Sequence, residues 1–391
     1  MFDVAIVGAG PCGSTAAAEL AKQGARVVLL DAASFPRRRT CGGGVLARGL
    51  SSLPAETRDA VERQCRVLEV HLHGPRISLQ SQRTTAVLTM MDRAAFDAAL
   101  TSTAERAGAT VRLGEAIVGV SQGADAVRLT SARESIDARL VIAADGGTGK
   151  TAELAGFAPF PQSMLGLAIE LEPSASDLER FSQSARFDFD LIENGYCSLF
   201  PKRDRLAVSV VARGASARQL QSALHDFLKR LNLRGSGQEQ TYEQSIPLEL
   251  RPGNSLSRGR VFLSGEAAGF VDPLTGEGLS YALLSGRLAA QAVIAGAYEP
   301  AQVLKHYQRD VDAQIRGELN IGRSVSRLFY GYPRLRNMLF RFAGPTIVEL
   351  MTDVAMGEQR YSDYLDPTSA SLSVPALFKK MMSSDVQVKR T

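Results

Sequence analysis

The N-terminal segment constrains the fold more than any other part of the chain. Apolar runs predict buried strands at Phe2 to Val7 and at Ala25 to Leu30, and the alanine-rich stretch Pro11 to Gln23 between them predicts a helix that begins with proline. The glycine-rich turn Gly8-Ala-Gly10-Pro-Cys12-Gly13 connects the first strand to this helix. A strand, a glycine-rich turn, a helix and a second strand in this order are typical of a βαβ unit that binds a dinucleotide.

Each glycine of this turn has a separate predicted role. Gly8 permits the tight turn, Gly10 lets a pyrophosphate approach the backbone, and Gly13 lets the helix pack closely on the strand. Asp31 ends the second strand, where its carboxylate can accept hydrogen bonds from ribose hydroxyls. A glycine turn without any ligand is the alternative, and the turn by itself does not distinguish NAD from FAD.

A second glycine-rich segment, Ser264 to Gly286, favours a flavin. It follows a predicted short strand, Arg260 to Leu263, and a helix of small residues begins after Pro273-Leu-Thr275. The start of a helix presents free backbone N–H groups and the positive end of the helix dipole. Reduced flavin carries negative charge near its N1 and O2 atoms, which such a helix start would stabilise, whereas nicotinamide gains nothing comparable. The two segments together predict FAD as the cofactor.

A basic, glycine-rich loop carries further candidate cofactor ligands. Pro36 to Gly44 combines three arginines with Cys41 and with three consecutive glycines that include Gly42. Three glycines in a row suit a backbone that approaches an anion or a planar ring. A solvated basic loop is the alternative, but it would explain the arginines alone.

Two charged residues at the ends of predicted elements are also candidates. Arg93 starts a predicted helix, Arg93 to Ala107, and either reaches back to the cofactor or lies at the surface. Asp145-Gly146 ends a predicted strand. It either holds its carboxylate near the cofactor phosphates or forms an ordinary β-turn.

A strand in the middle of the chain is the candidate wall of a substrate pocket. Alternation along it places Tyr196, Ser198 and Phe200 on one face. Such a face can line an apolar cavity over a flavin, and a plain protein core is the alternative. His71 and His73 alternate on another predicted strand without a carboxylate or cysteine cluster nearby in the sequence, so no metal site is predicted.

At 391 residues the chain is long enough for two lobes that alternate in the sequence. Strand patterns dominate its middle, interrupted by one amphipathic helix, Ala217 to Leu231, and helical patterns follow. We therefore expect an α/β fold in which a Rossmann-like dinucleotide-binding domain is interleaved with an antiparallel-sheet substrate domain and followed by C-terminal helices. The expected boundaries are 1–65, 92–160 and 256–296 for the dinucleotide-binding domain, 66–91 and 161–255 for the substrate domain, and 297–391 for the C-terminal helical region and tail.

Charge and cysteine content argue against other classes of protein. The net charge is +4, but the 45 basic and 41 acidic residues are interspersed, so nucleic acid is not an expected partner. The four cysteines have no zinc-type spacing, which favours reduced thiols and a cytoplasmic location. No apolar run is long enough to span a bilayer.

One amphipathic segment nevertheless suits a membrane surface. Ser326 to Phe342 mixes arginines with leucine, phenylalanine and tyrosine. This composition can dock on an anionic membrane from which a lipid substrate is drawn, which would place the protein at the inner face of the membrane. The alternative is a helix that packs on the substrate domain and keeps its arginines in water.

These segments together resemble the geranylgeranyl reductase family, which comprises FAD-dependent oxidoreductases with the p-hydroxybenzoate hydroxylase fold. The resemblance runs from residue 1 to about residue 345 and is strongest in the N-terminal turn, the Cys41–Gly44 loop, the strand Gly195 to Pro201 and the segment Gly265 to Gly286. It implies a cofactor site formed by Gly8, Gly10, Cys12, Gly13, Asp31, Cys41, Gly42, Gly44, Arg93, Val118, Asp145, Gly265, Glu266, Gly276, Gly278 and Leu279.

The resemblance also implies roles within that site. Val118 would flank the adenine, and the N–H groups of Gly276, Gly278 and Leu279 would face the isoalloxazine. Glu266 stands where the family usually has an aspartate that bonds the ribityl chain. Because its side chain is one methylene longer, its carboxylate must recoil or bond the ribityl chain differently.

The activity that the resemblance implies is saturation of carbon–carbon double bonds in an isoprenoid chain, with NAD(P)H or a reduced protein as electron donor. The candidate proton donors are Cys41, Tyr196 and Thr275, and the candidate substrate contacts are Tyr196, Ser198, Phe200 and Pro273. The principal alternative is an FAD-dependent monooxygenase that hydroxylates an aromatic or protein-bound substrate. A flavin-binding protein without turnover is a further alternative, and the oligomeric state is not predicted.

Overall fold

Strands and helices alternate in the first third of the chain, strands dominate the middle, and helices dominate the last third. The computed structural model describes residues 1–37, 42–50, 53–233 and 241–364. The strands of this part of the chain are β1 Phe2–Val7, β2 Val27–Asp31, β3 Gly44–Leu46, β4 Val61–Cys65, β5 Val67–Leu72, β6 Ile77–Gln82, β7 Leu88–Met91, β8 Thr110–Leu113, β9 Ile117–Gln122, β10 Val127–Ser131, β11 Ser135–Ala143, β12 Ser163–Leu171, β13 Ser184–Phe189, β14 Gly195–Pro201, β15 Leu206–Arg213, β16 Thr241–Pro247, β17 Ser257–Arg258 and β18 Val261–Leu263. The α-helices are α1 Pro11–Lys22, α2 Ala47–Leu50, α3 Arg93–Arg106, α4 Thr151–Leu154, α5 Ala175–Arg180, α6 Ala217–Leu231, α7 Leu279–Ala295, α8 Pro300–Val311, α9 Gly317–Gly331, α10 Pro333–Met356 and α11 Tyr361–Tyr364.

In the described part of the chain, the strands form three sheets. The first has eight strands, and its central strands β18, β11, β1, β2 and β8 are parallel. The second has seven strands in the order β16-β12-β15-β14-β13-β5-β6, antiparallel except for the pair β13 and β5. The third is a small antiparallel sheet of β3, β7 and β4. The predicted α/β class, with a parallel nucleotide-type sheet and a mainly antiparallel second sheet, is confirmed.

The N-terminal βαβ unit forms the centre of the first sheet. Strand β1 has the predicted bounds, and its last four residues are buried because β2 and β11 flank it on both sides. Helix α1 begins at Pro11, whose ring presets the backbone angle of a first helical residue. It packs on α7, so the two helices that follow the two glycine-rich segments lie side by side.

The second sheet has a different neighbour on each face. Helix α6, which starts with a capping box between Ser216 and Gln219, covers one face with its apolar side. Helices α9 and α10 pack over the other face. Helix α10 is kinked at Ala343, two residues before Pro345, because proline removes one backbone hydrogen bond and crowds the preceding turn. The site described below lies between the second face and these two helices.

The predicted division into domains meets one local difference. Strands β5 and β6 join the second sheet, as the substrate-domain assignment of 66–91 expects, but β7 pairs with β3 and β4 in the third sheet. The domain boundaries themselves stay a prediction. No helix within the described ranges is long and apolar enough to cross a membrane.

Candidate active site

A large cavity runs between the helices of the first sheet and the open face of the second. Its volume is about 770 Å³. Glycines at the starts of α1 and α7 line one end, and apolar side chains of β13, β14, α9 and α10 line the other. A cavity of this form can hold an elongated ligand together with an apolar one.

The turn before α1 is packed tightly on two sides and open on the third. Gly8 has a φ of +106°, and a Cβ there would overlap with the Ala144 carbonyl at the end of β11. A Cβ on Gly13 would overlap with the Gly8 carbonyl. At Gly10, the nearest atom to a Cβ would be Nη2 of Arg37, 3.5 Å away. Backbone therefore fills the space at two of the glycines, and the third leaves the helix start open to the cavity.

The segment before α7 is held by its own side chains. The Asp272 carboxylate accepts hydrogen bonds from the N–H groups of Leu274 and Thr275, each 3.0 Å long, and from the Thr275 hydroxyl at 3.1 Å. Gly276 follows with a left-handed φ of +71°. From β14, the Tyr196 hydroxyl donates to the Thr275 carbonyl. These bonds fix the start of α7 against the second sheet.

Both helix starts present backbone donors to the cavity. Among the described residues, no side chain caps α1 at Gly10, whereas at the start of α7 the Glu277 carboxylate accepts the Ser280 N–H at 2.6 Å. The two helices have 12 and 17 residues, long enough to carry a dipole whose positive end attracts negative charge. The glycine-lined end of the cavity therefore suits a ligand with two electron-rich parts.

A connected set of aromatic rings lines the apolar end. The ring of Phe187 lies 5.6 Å from that of Tyr196 and 5.4 Å from that of Phe200, measured between centroids. Phe189 lies 4.8 Å from Phe329 of α9. Leucine, isoleucine and methionine side chains of α9 and α10 complete this part of the wall. The side chains at this end are mainly apolar, which suits an apolar ligand.

Comparison with known proteins identifies the family. Residues 1–313 match the family model described as an FAD binding domain. A digeranylgeranylglycerophospholipid reductase of Methanopyrus kandleri is 30% identical over 359 residues, which cover 84% of this chain and 86% of that protein. The chain belongs to the geranylgeranyl reductase family of FAD-dependent oxidoreductases.

Two further similar proteins place this reductase-family chain among its relatives. A menaquinone reductase of Mycolicibacterium smegmatis is 29% identical over 346 residues, which cover 78% of this chain and 81% of that protein. The solved structure of a geranylgeranyl bacteriochlorophyll reductase-like protein from Thermoplasma acidophilum matches with a TM-score of 0.74 at 22% identity, and covers 99% of this chain and 97% of that one. At that identity the structural match shows a shared fold.

The glycine-lined end of this reductase fits FAD. Gly10 lies in the cavity wall, and its missing side chain lets a pyrophosphate approach the N–H groups at the start of α1. At the start of α7 the Ser280 N–H is already bound by Glu277, and the N–H groups beside it would face an electron-rich ring. The predicted cofactor residues Gly10, Cys12, Gly42, Gly44, Arg93, Glu266, Gly276, Gly278 and Leu279 all lie in the cavity wall. Their contacts with the cofactor stay a prediction.

The Asp31 carboxylate already has partners within the chain. It accepts hydrogen bonds from the N–H groups of Ala9 at 2.8 Å and Ala33 at 2.9 Å, and it pairs with the Arg37 guanidinium at 3.1 Å. The contact with Ala9 ties the end of β2 to the glycine turn. The glycine turn therefore already holds the Asp31 carboxylate in position, and the predicted hydrogen bond to a ribose would be an additional one.

Asp97 is a site residue that sequence reasoning missed. It is fully buried on α3 and accepts two hydrogen bonds, each 3.0 Å long, from the Arg93 guanidinium; Arg37 lies 3.5 Å away. Arginine and aspartate four residues apart on a helix are the signal that could have found it. The pair holds Arg93 in the cavity wall.

Cys12 and Glu266 lie close together where α1 meets the segment after β18. The Cys12 thiol donates to the Ser264 hydroxyl at 3.1 Å, and burial raises the pKa of Cys12 to about 11, so it stays a thiol near neutral pH. The predicted site residue Gly265 has a φ of +63°, and a Cβ there would lie 3.1 Å from the Cys12 Cβ. The Glu266 carboxylate accepts no hydrogen bond from the described residues, and an oxygen of it would lie 3.2 Å from a Cβ on Gly278.

Seven of the predicted ligand-contacting residues lie outside the cavity wall that the described residues form: Gly8, Gly13, Asp31 and Gly265, whose places are given above, and Pro273, Asp145 and Val118. Pro273 packs on α9, and its carbonyl accepts a hydrogen bond from Ser326 at 2.8 Å. Asp145 accepts a hydrogen bond from the Thr151 N–H at 2.9 Å, and burial raises the pKa of Asp145. Val118 is 59% exposed on β9. Their predicted ligand contacts stay predictions, whereas Cys41 lies outside the described residues.

The three residues predicted on one face of β14 all lie in the wall. Tyr196 and Phe200 belong to the aromatic set, and Ser198 hydrogen-bonds the Ser209 hydroxyl at 2.7 Å. Elsewhere, His71 contacts Glu69 at 3.1 Å and His73 contacts Asp188 at 2.8 Å. Within the described ranges, no cluster of histidine, cysteine and carboxylate side chains could hold a metal ion.

Proposed function

We propose that this oxidoreductase saturates carbon–carbon double bonds of an isoprenoid lipid chain held at the apolar end of the cavity. The observation that carries this proposal is the continuity of one cavity from the glycine-lined helix starts to the aromatic wall. Relatives named as reductases of digeranylgeranylglycerophospholipid and of menaquinone, both lipids with isoprenoid chains, support the same substrate class.

FAD, when bound, supplies the two-electron redox chemistry. The chain's own residues would bind and orient it: the N–H groups at the start of α1 would hold the pyrophosphate, and those at the start of α7 would face the electron-rich edge of the ring. The aromatic wall then excludes water and holds an apolar chain beside that ring. An isolated double bond has little polarity, so enclosure and orientation carry most of the recognition.

Two candidate proton donors have structural tasks in the wall. The Tyr196 hydroxyl donates to the Thr275 carbonyl, and the Thr275 hydroxyl donates to Asp272. Either hydroxyl would have to break its bond before giving a proton to a substrate. We infer that their first task is to fix the segment before α7, and Cys41 stays the third candidate.

Anaerobic incubation tests the activity. The holoprotein, with its flavin reduced chemically, is mixed with a geranylgeranyl lipid, and the molecular masses of the products are measured by mass spectrometry. A gain of two hydrogen atoms per reduced double bond is expected. A gain of one oxygen atom after admission of air would instead support the monooxygenase alternative, and unchanged substrate under both conditions would support a flavin-binding protein without turnover.

The electron donor is tested with the same protein. NADH and NADPH are added separately to the oxidised holoprotein under anaerobic conditions, and bleaching of the flavin absorbance is followed. We propose that one of them, or a reduced electron-transfer protein, fills this role. Bleaching by neither nucleotide would leave the reduced protein as the donor.

We further propose that the turn between α9 and α10, together with the first half of α10, touches an anionic membrane surface. Tyr332 is 62% exposed, Met338 46% and Phe342 76%, and the neighbouring Arg334 and Arg341 are also exposed. Exposed apolar side chains among arginines suit an interface of anionic headgroups and acyl chains. The other side of these two helices lines the cavity, so a lipid drawn from the membrane would have a short path.

Vesicle flotation tests this contact. The holoprotein is expected to float with vesicles of phosphatidylcholine and phosphatidylglycerol, and less with phosphatidylcholine alone. The double variant Met338→Ser, Phe342→Ser should lose most of this binding, whereas Ile294→Ser, a control at a residue 37% exposed on α7, should keep it. Equal flotation of both variants would contradict the proposed membrane contact at Met338 and Phe342.

A further inference from the structure

The cavity wall contains more carboxylates than arginines. Among the described residues, three arginines and four carboxylates line the cavity, namely Arg48, Arg93, Arg336, Glu243, Glu266, Asp272 and Glu277. The balance matters because a phosphate that enters an enclosed cavity must exchange its water for nearby cations. The wall therefore shows what kind of headgroup it can accept.

Each of the three arginines is paired with a carboxylate. Arg48 contacts Glu277 at 2.9 Å, and Arg93 makes a two-pronged pair with the buried Asp97. Arg336 pairs with Asp190. Three of the wall carboxylates, by contrast, have no ion pair with a described cation: Glu243, which is exposed, Glu266, and Asp272, which accepts hydrogen bonds from its own segment.

Asp190 is placed so that it neutralises Arg336. It lies in the turn between β13 and β14 with a left-handed φ of +69°, and its other carboxylate oxygen accepts the Gly74 N–H at 3.1 Å. Arg336 is 6% exposed, its Nε donates to Asn337 at 3.0 Å, and its guanidinium lies 5.1 Å from the centroid of Phe329. An anion at this end of the cavity would have to displace Asp190 from a pair that is largely removed from water.

The headgroup must enter the cavity for part of the proposed reaction. A double bond far along an isoprenoid chain can be reduced while the headgroup stays outside. The double bond next to the headgroup reaches the place of reduction beside the flavin only when the headgroup itself lies inside the cavity. Phe187, Phe189 and Tyr196 offer rings against which a planar, uncharged headgroup can stack.

We propose that the substrate is an isoprenoid lipid with an uncharged ring as headgroup, of the prenylated quinone type, and that Asp190 sets this preference by cancelling the charge of Arg336. The inference rests on the proposed function and specifies its substrate class. Prenyl phosphates and anionic phospholipids are discriminated against because the wall has no uncompensated cation among its described residues.

Binding is measured on the oxidised holoprotein. Because the chain contains no tryptophan, the visible spectrum of the bound flavin is the probe. It is titrated with a geranylgeranylated naphthoquinone, with geranylgeranyl diphosphate and with a digeranylgeranyl phosphatidylglycerol. The quinone should bind at least about tenfold more tightly than either anionic lipid.

Asp190→Asn is the decisive variant. Asparagine also adopts the left-handed backbone and can still accept the Gly74 N–H, but it leaves the Arg336 guanidinium uncompensated. The preference for the quinone should narrow by about tenfold, mainly through tighter binding of the diphosphate. Asp137→Asn, which removes an exposed pair with Arg128 on the first sheet, is the matched control and should change nothing.

Three outcomes would overturn the proposal at different levels. Equal binding of quinone and diphosphate to the unmodified protein would contradict the proposed preference for an uncharged headgroup. A clear preference that Asp190→Asn leaves unchanged would remove the role of Asp190. Absence of both binding and reduction for all three lipids would overturn the proposed function itself, which is distinct from an error about the headgroup.

Discussion

Gly286 lies where α7 touches the backbone of α1, and its replacement by alanine gives a sharp test of the site. A Cβ at this position would lie 3.1 Å from the carbonyl carbon and 3.2 Å from the Cα of Cys12, and would overlap with the carbonyl oxygen. Backbone atoms cannot rotate away as a side chain can. Since carbon atoms normally pack at about 3.5 to 4.0 Å, the two helices must separate by roughly half an ångström to an ångström.

This separation should weaken FAD binding. Helices α1 and α7 both begin at the cavity, so moving one against the other changes the distance between the two sets of N–H donors. Overpacking of a well-packed contact costs about 1 to 3 kcal/mol. If all of it appears as lost affinity, the Kd for FAD rises by about fivefold to 150-fold.

The assay compares two glycine variants. FAD is removed from Gly286→Ala and rebound in a fluorescence titration, and the Tm of each apoprotein is recorded. Gly331→Ala is the control, because Gly331 ends α9 with no atom within 4 Å of a Cβ. It should bind FAD like the unmodified protein. If Gly286→Ala binds FAD within about twofold of the parent and keeps its Tm, the close helix contact does not set the site.

Three further predictions concern single side chains in the wall or directly behind it. Asp97→Ala leaves two guanidinium groups without their shared carboxylate and should lower the free energy of unfolding of the apoprotein by about 3 to 5 kcal/mol in urea titrations; a loss below about 1 kcal/mol would contradict the pairing. Tyr196→Phe removes the hydrogen bond to Thr275, so it should cost about 1 kcal/mol of stability and keep reduction of a geranylgeranyl lipid within about tenfold. A loss of about a hundredfold at unchanged flavin content would make Tyr196 the proton donor. Because burial holds the pKa of Cys12 near 11, iodoacetamide at about pH 8 should leave Cys12 unmodified in the folded protein, and its rapid alkylation, detected by mass spectrometry, would refute that burial.

Elements with strong local signals were predicted closely. Strand β1 has the predicted bounds, α1 ends one residue earlier than predicted, and α6 has the predicted bounds of Ala217 and Leu231. In each case the signal comes from residues close together in the sequence: apolar residues at regular spacing, and glycine or proline at the ends of the element. Such signals survive folding because the tertiary structure uses the same apolar faces.

Side-chain partners distant in the sequence were not predicted. Arg336 and Asp190 are 146 positions apart and meet only because α10 lies over the turn between β13 and β14. Asp145 follows the end of its strand as predicted, and one of its carboxylate oxygens accepts the Thr151 N–H, a partner that the sequence did not indicate. Both outcomes depend on which of several polar partners is nearest in the folded chain.

The amino-acid sequence by itself determined the cofactor class, the parallel sheet and the two helix starts, because glycine spacing and apolar periodicity act over a few residues and need no distant partner. Tertiary structure alone decided how far the cavity extends and how its charges are balanced. Three features of the cavity come from segments far apart along the chain: the cover formed by α9 and α10, the aromatic wall, and the pair of Arg336 with Asp190. The free energy that brings these segments together comes from packing of the whole fold and not from any one segment.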